Sequence, residues 1–212
     1  MAFSIGEQAL LLQGPVGQIE SKLNIVDAPK CLVICCHPHS LHGGSMTNKV
    51  VHTLHRSFKD LSYHTLRFNF RGVGKSEGAF DEGLGEALDV HALFRWAEHQ
   101  FPNLPIALAG FSFGAYVTLS VAHLFPLKFL VSIAPPVERF YFQDLSIPSC
   151  PWLVIQPMED EVISANAVVD WYQSLSPTHS TLIQFPHSGH FFHSKLPELK
   201  QSIETGLHGL EI

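Results

Sequence analysis

The chain has 212 residues, 46% of them hydrophobic and 15% charged, with a mean hydropathy of +0.15. That is the length of one domain, 1–212, with ample apolar material for a core, so intrinsic disorder is excluded. Thirteen basic against nineteen acidic residues leave a net charge of −6, which argues against nucleic acid and against an anionic membrane surface as partners.

Met1–Leu12 lacks the basic start, apolar run and small-residue cleavage site of a signal peptide. No stretch reaches the roughly 18–20 apolar residues needed to span a bilayer. Cys31, Cys35, Cys36 and Cys150 show no paired metal-ligand spacing and read as small core residues in a reducing compartment. A cytoplasmic location is the default expectation.

In chain order, Gln8–Gln13 and Gln18–Asn24 flank a Gly14-Pro15-Val16-Gly17 turn, the pattern of a β-hairpin. Short apolar runs then alternate with longer amphipathic ones. The runs at Cys31–Cys36, His64–Asn69, Pro105–Ala109, Phe129–Ile133, Trp152–Gln156 and Thr181–Phe185 suit strands covered on both faces. Helices are expected over Thr47–Leu61, Leu84–Gln100, Phe113–Leu124, Ala165–Leu175 and Leu196–His208. In the second of these, Leu88, Ala92 and Trp96 mark the expected apolar face. A hairpin followed by repeated β-α units predicts an α/β fold with a mostly parallel central sheet and helices on both faces. Ligands of such sheets bind beyond the carboxyl ends of the strands, so the loops there carry the chemistry.

The loop after Pro105–Ala109 is Gly110-Phe111-Ser112-Phe113-Gly114, a G-x-S-x-G between strand and helix. Such a turn strains the serine backbone, needs small neighbours and leaves Ser112 exposed at the sheet edge, near helical N–H groups. A serine nucleophile also requires a base and a group to orient that base. Glu159-Asp160-Glu161 follows the strand Trp152–Gln156, and His187-Ser188-Gly189-His190 follows Thr181–Phe185, where Gly189 allows a tight turn presenting His190. Serine, acid and histidine thus succeed one another in three strand-end loops.

Other readings of these residues are weaker. The clusters His37/His39/His42 and His187/His190/His193 lack the H-E-x-x-H spacing of a zinc enzyme, and no metal or other cofactor is called for. Gly74-Lys75-Ser76 has Asn69 where a phosphate-binding loop needs glycine.

Almost the whole chain resembles the α/β-hydrolase superfamily, and within it the small lidless bacterial esterase-like proteins. The resemblance lies in His37-Pro38-His39-Ser40-Leu41-His42-Gly43-Gly44, in Arg71-Gly72-Val73-Gly74-Lys75-Ser76-Glu77-Gly78, in the Ser112 elbow, in Asp160-Glu161-Val162 and in Ser188-Gly189-His190-Phe191. Pro157-Met158 departs from it, since relatives commonly have Gly-x there. The resemblance implies a Ser112-His190-Asp160 triad and selects Asp160 and His190 from among their neighbours. It also implies an oxyanion hole made by the backbone N–H of Phe113 and that of His39, with Ser40 as the adjacent candidate.

The expected activity is hydrolysis of an ester or related acyl bond of a small-molecule substrate. Acyl transfer, peptide cleavage and a non-catalytic binding role remain as alternatives. Phe111, Phe191 and Arg71 are candidates for the substrate pocket. Only 48 positions separate Ser112 from Asp160, too few for a helical cap domain, so an open, shallow site is expected. No membrane partner is expected, and an exposed N-terminal hairpin or terminal strand edge offers a route to a homodimer.

Overall fold

A computed structural model describes residues 3–210. Two antiparallel strands open the chain, β1 (Gly6–Gly14) and β2 (Gly17–Ile25), and Gly14 pairs with Gly17 across a two-residue turn. There follow β3 (Leu32–Cys36), α1 (Lys49–Asp60), β4 (His64–Phe68), α2 (Leu84–Gln100), β5 (Ile106–Phe111), α3 (Phe113–Ala122) and β6 (Leu130–Ile133). The chain ends with β7 (Trp152–Pro157), α4 (Ala165–Leu175), β8 (Ser180–Phe185) and α5 (Leu196–Gly209). The eight strands form one sheet in the order β1-β2-β4-β3-β5-β6-β7-β8, parallel from β4 to β8.

Alternation along the buried strands supplies two cores. Leu32, Ile34 and Cys36 of β3, with Ile106 and Leu108 of β5, face α2 and α3. Val33 and Cys35, with Ala107, Ala109 and Phe111, face α1 and α5. All four cysteines are buried, and burial pushes the Cys31 and Cys35 thiols up to about 12 and Cys150 to about 11.

The buried face of α2 differs from the expected one. Leu84 and Leu88 are exposed, whereas Glu86, Asp89, Val90, Leu93, Phe94 and Ala97 are buried. Two carboxylates interrupt the inward stripe, which conceals it from a hydrophobicity reading. Each is satisfied: Glu86 accepts the Asp81 and Gly83 N–H groups at 3.0 and 2.8 Å, and Asp89 pairs with Arg71. Among the described residues, no helix is long and apolar enough to cross a membrane.

The crossover β4-α2-β5 passes over β3, so the helices after β3 and β5 diverge to opposite faces of the sheet. The crevice left between those two strand ends is where a ligand fits best in such a sheet.

Candidate active site

Ser112 stands at that crevice, between β5 and α3, with φ 54° and ψ −118°. A left-handed φ on a side-chain-bearing residue is strained, and neighbouring packing enforces it here. A Cβ on Gly110 would lie 2.2 Å from the Gly114 carbonyl oxygen, and one on Gly114 would lie 2.4 Å from that of Cys36. The glycines therefore let α3 start directly against β3 and β5. Ser112 was expected to stand exposed, but it is only 9% exposed.

The loops after β7 and β8 are stitched together. The Met158 N–H donates to the Phe185 carbonyl at 2.9 Å and the Glu159 N–H to that of Ser188 at 3.0 Å. The three adjacent carboxylates then do different things. Glu159 meets the exposed His187 at 3.1 Å. Asp160 Oδ1 accepts the N–H groups of Val162 and Ile163, both at 2.8 Å, which fixes the carboxylate and leaves Oδ2 facing His190 Nδ1 at 2.8 Å. Glu161 Oε2 accepts the backbone N–H of His190 at 3.0 Å. A Cβ on Gly189 would fall 2.4 Å from that oxygen, so a side chain there would push the Glu161 carboxylate aside.

His190 Nε2 lies 3.0 Å from Ser112 Oγ, which completes a line from carboxylate through imidazole to hydroxyl. Burial alone would raise the Asp160 pKa. The hydrogen bond and charge of His190, with the two backbone amides, outweigh burial and hold it below the usual carboxylate value. A buried, ionised Asp160 fixes the proton of His190 on Nδ1 and leaves Nε2 free to accept from the serine.

The Phe113 N–H opens α3, and the His39 N–H lies in the loop after β3. Among the described residues, neither donates to a backbone carbonyl. The His39 loop is held by His37, whose buried ring bonds the Pro38 carbonyl through Nδ1 at 2.6 Å and accepts the Phe70 N–H at Nε2 at 3.0 Å. Burial pulls the His37 pKa down to about 4, so the ring stays neutral. Gly44 closes the same loop, since a Cβ there would lie 2.1 Å from the Pro38 oxygen.

Ser112 lines a cleft of about 660 Å³. Its walls are largely aromatic: Phe80, Phe113, Tyr116, Phe140 and Tyr141, with His39 at one side. Phe140 stacks on Tyr116 at 4.5 Å, and His39 on His42 at 4.5 Å. Between β6 and β7 the described residues hold one short 3-10 turn, Phe142–Asp144, and no helical cap. The expectation of a lidless site therefore stands. The segment between β6 and β7 contributes Pro136, Arg139, Phe140 and Tyr141 to the cleft beside the serine.

The three expected pocket residues lie elsewhere. Arg71 is buried, with its guanidinium forked onto Asp89 at 2.7–3.2 Å, and the Arg71 N–H reaches the same carboxylate at 3.1 Å. It braces the loop after β4 against α2 and is not among the residues lining the cleft. Phe111 is fully buried beneath His190, 5.1 Å between ring centroids. Phe191 packs its ring 5.0 Å from that of His190 but is turned outward. Sequence reasoning missed Glu161, His37 and Asp89 as positioning groups. Their one signal was that each is a polar residue within an otherwise recognisable motif or apolar stripe.

Residues 28–141 match the family model described as serine aminopeptidase, S33. An uncharacterized protein of Rickettsia prowazekii (strain Madrid E) is 36% identical over 210 residues, covering 93% of this chain and 87% of the relative. The chain belongs to the α/β-hydrolase superfamily. The crystal structure of XC6422 from Xanthomonas campestris, an α/β serine hydrolase without lid, superposes on this α/β hydrolase with a TM-score of 0.92. The two are 41% identical, over 97% of this chain and 95% of the other. An α/β serine hydrolase homologue from Coxiella burnetii gives a TM-score of 0.92 at 40% identity, over 97% of this chain and 100% of that one. The chain is thus a hydrolase of the serine type, and its lack of a cap is shared with XC6422.

Proposed function

We propose that this hydrolase cleaves carboxylic esters, or closely related acyl bonds, through an acyl-enzyme on Ser112. The observation that carries the reading is the unbroken line Asp160 Oδ2–His190–Ser112 Oγ, with steps of 2.8 and 3.0 Å, beside two unclaimed backbone N–H groups. His190 Nε2 takes the serine proton as Oγ attacks the acyl carbon. Asp160 orients the ring and stabilises the imidazolium that forms. The Phe113 and His39 amides receive the developing oxyanion, and His190 returns the proton to the leaving alkoxide. Water, activated by the same imidazole, then releases the acid. In this reading the two amides and the helix start receive the charge as it develops, and such preset donors need no reorganisation as the reaction proceeds.

The aromatic cleft favours apolar acyl groups, and the absence of a cap favours substrates that approach from solvent. The test is turnover of p-nitrophenyl acetate and butyrate beside aminoacyl-p-nitroanilides, with Ser112→Ala as the blank. Ester turnover that vanishes in the variant supports the reading. Amide turnover exceeding ester turnover would instead favour a peptidase, the activity that the matched family model's description carries.

A further inference from the structure

Asp160 is fixed by one short stretch of backbone, and that stretch is itself held from outside. The N–H groups of Val162 and Ile163 both donate to Asp160 Oδ1 at 2.8 Å. The next N–H, that of Ser164, donates to Glu138 Oε2 at 2.9 Å. Between these donors the Val162 carbonyl accepts from Arg139 Nη2 at 3.0 Å. Three successive amides therefore end on two carboxylates, and a carbonyl among them ends on a guanidinium.

The Val162 carbonyl and the Ile163 N–H belong to one planar peptide unit. Arg139 holds that unit at its oxygen, and Asp160 accepts from its nitrogen. A cation on the carbonyl polarises the peptide and strengthens its N–H as a donor, as in other chains of hydrogen bonds. The line Ser112–His190–Asp160 thus continues through a peptide to a side chain of the segment between β6 and β7.

That segment has supports of its own. Phe140, beside Arg139, stacks on Tyr116 of α3, and the buried Phe142 packs on Trp171 of α4 with ring centroids 5.1 Å apart. The Val137 N–H donates to the Pro135 carbonyl and the Arg139 N–H to that of Pro136, which closes the turn carrying Glu138 and Arg139. Among the described residues neither side chain forms an ion pair, and their hydrogen bonds go to the acid loop.

We propose that Arg139 is a positioning residue for Asp160, acting through the Val162–Ile163 peptide, and that Glu138 secures the same loop one amide further on. The segment that lines the cleft and the loop that carries the acid then move as one unit. A contact with an anionic substrate is the rival role for Arg139, which lines the cleft. Glu82 lines the same cleft, however, and the hydrogen bond of the guanidinium goes to the loop. The positioning role rests on the Ser112–His190–Asp160 reading of the site.

The experiment is a double-mutant cycle with p-nitrophenyl acetate, on variants whose urea midpoints confirm folding. Arg139→Ala should lower kcat about tenfold, the worth of a hydrogen bond to a charged group, and leave KM within about twofold. Arg139→Lys keeps a cationic donor and should recover most of the loss. In an Asp160→Ala background, Arg139→Ala should cost less than about twofold more, because the group it positions is gone; an independent substrate contact would multiply. By proton NMR, the His190 Nδ1 hydrogen bonded to Asp160 should move upfield in Arg139→Ala. Unchanged kcat in Arg139→Ala, an equal loss in the Asp160→Ala background, or a loss confined to the KM of mono-p-nitrophenyl adipate would overturn the inference. A parent protein without Ser112-dependent turnover would overturn the ester reading instead. The His190 resonance then decides the positioning role, and an unshifted signal in Arg139→Ala would overturn it.

Discussion

Glu161 Oε2 accepts the backbone N–H of His190 at 3.0 Å, one position along from Asp160, whose Oδ2 bonds the same residue's ring at 2.8 Å. Two consecutive carboxylates therefore hold one histidine at its backbone and at its side chain. The backbone bond sets where the imidazole stands, and the ring bond sets its tautomer and tilt.

Glu161→Ala should release the β8 loop and lower kcat by about 10–100-fold, because a displacement of an ångström at the base costs on that order. Glu161→Gln retains an oxygen acceptor and should stay within about threefold of the parent. Steady-state kinetics on a soluble ester check both, and equal losses in the two variants would place the requirement on charge instead of position.

Asp160→Asn should cost far more, about 10⁴ in kcat, because an amide in that place favours the wrong tautomer of the ring. KM should change little, since the carboxylate is directed at His190, Val162 and Ile163 and not into the cleft.

Arg71→Ala should act on stability. It leaves Asp89 buried and uncompensated, which costs about 3–5 kcal/mol in such pairs. Folded Arg71→Ala protein should keep the parental KM, because Arg71 does not line the cleft. Urea unfolding and steady-state kinetics together separate this bracing role from a substrate contact.

Acid should destabilise the fold in two windows. Burial pulls His37 and His55 down to about 4 from 6.5, so both are neutral in the fold while their unfolded counterparts bind protons. Stability is therefore complete above pH 6.5 and falls as pH drops from there to about 4, by on the order of 3 kcal/mol for His37 alone. Asp160, held below its ordinary 3.8, contributes stability that is complete above that value and disappears at still lower pH. Urea midpoints measured from pH 8 to pH 3 would display the first decline, and a flat profile between 6.5 and 4.5 would contradict it.

Much of this architecture is legible in the residues because local signals and burial agree. The helix Ala165–Leu175 has the expected bounds. The apolar runs become strands because a parallel sheet covered on both faces has no polar side to display. The elbow is legible because its two glycines answer a steric demand that no other residue meets. The α2 face was misread because Glu86 and Asp89 face inward, and only three-dimensional contact reveals that Arg71 and loop amides satisfy them. The same contact removed Arg71 from the pocket. Cleft walls such as Phe140 and Tyr141 come from a connecting segment without periodicity, so their placement awaited the fold.

The most direct measurement is intact-protein and peptide mass spectrometry after treatment of the folded protein with a fluorophosphonate. The arrangement around Ser112 predicts one adduct, on Ser112, forming at least about 10³ times more slowly in His190→Ala, which lacks the base that activates the hydroxyl. No adduct on Ser112 in folded protein, or equal labelling rates in the two proteins, would contradict the account.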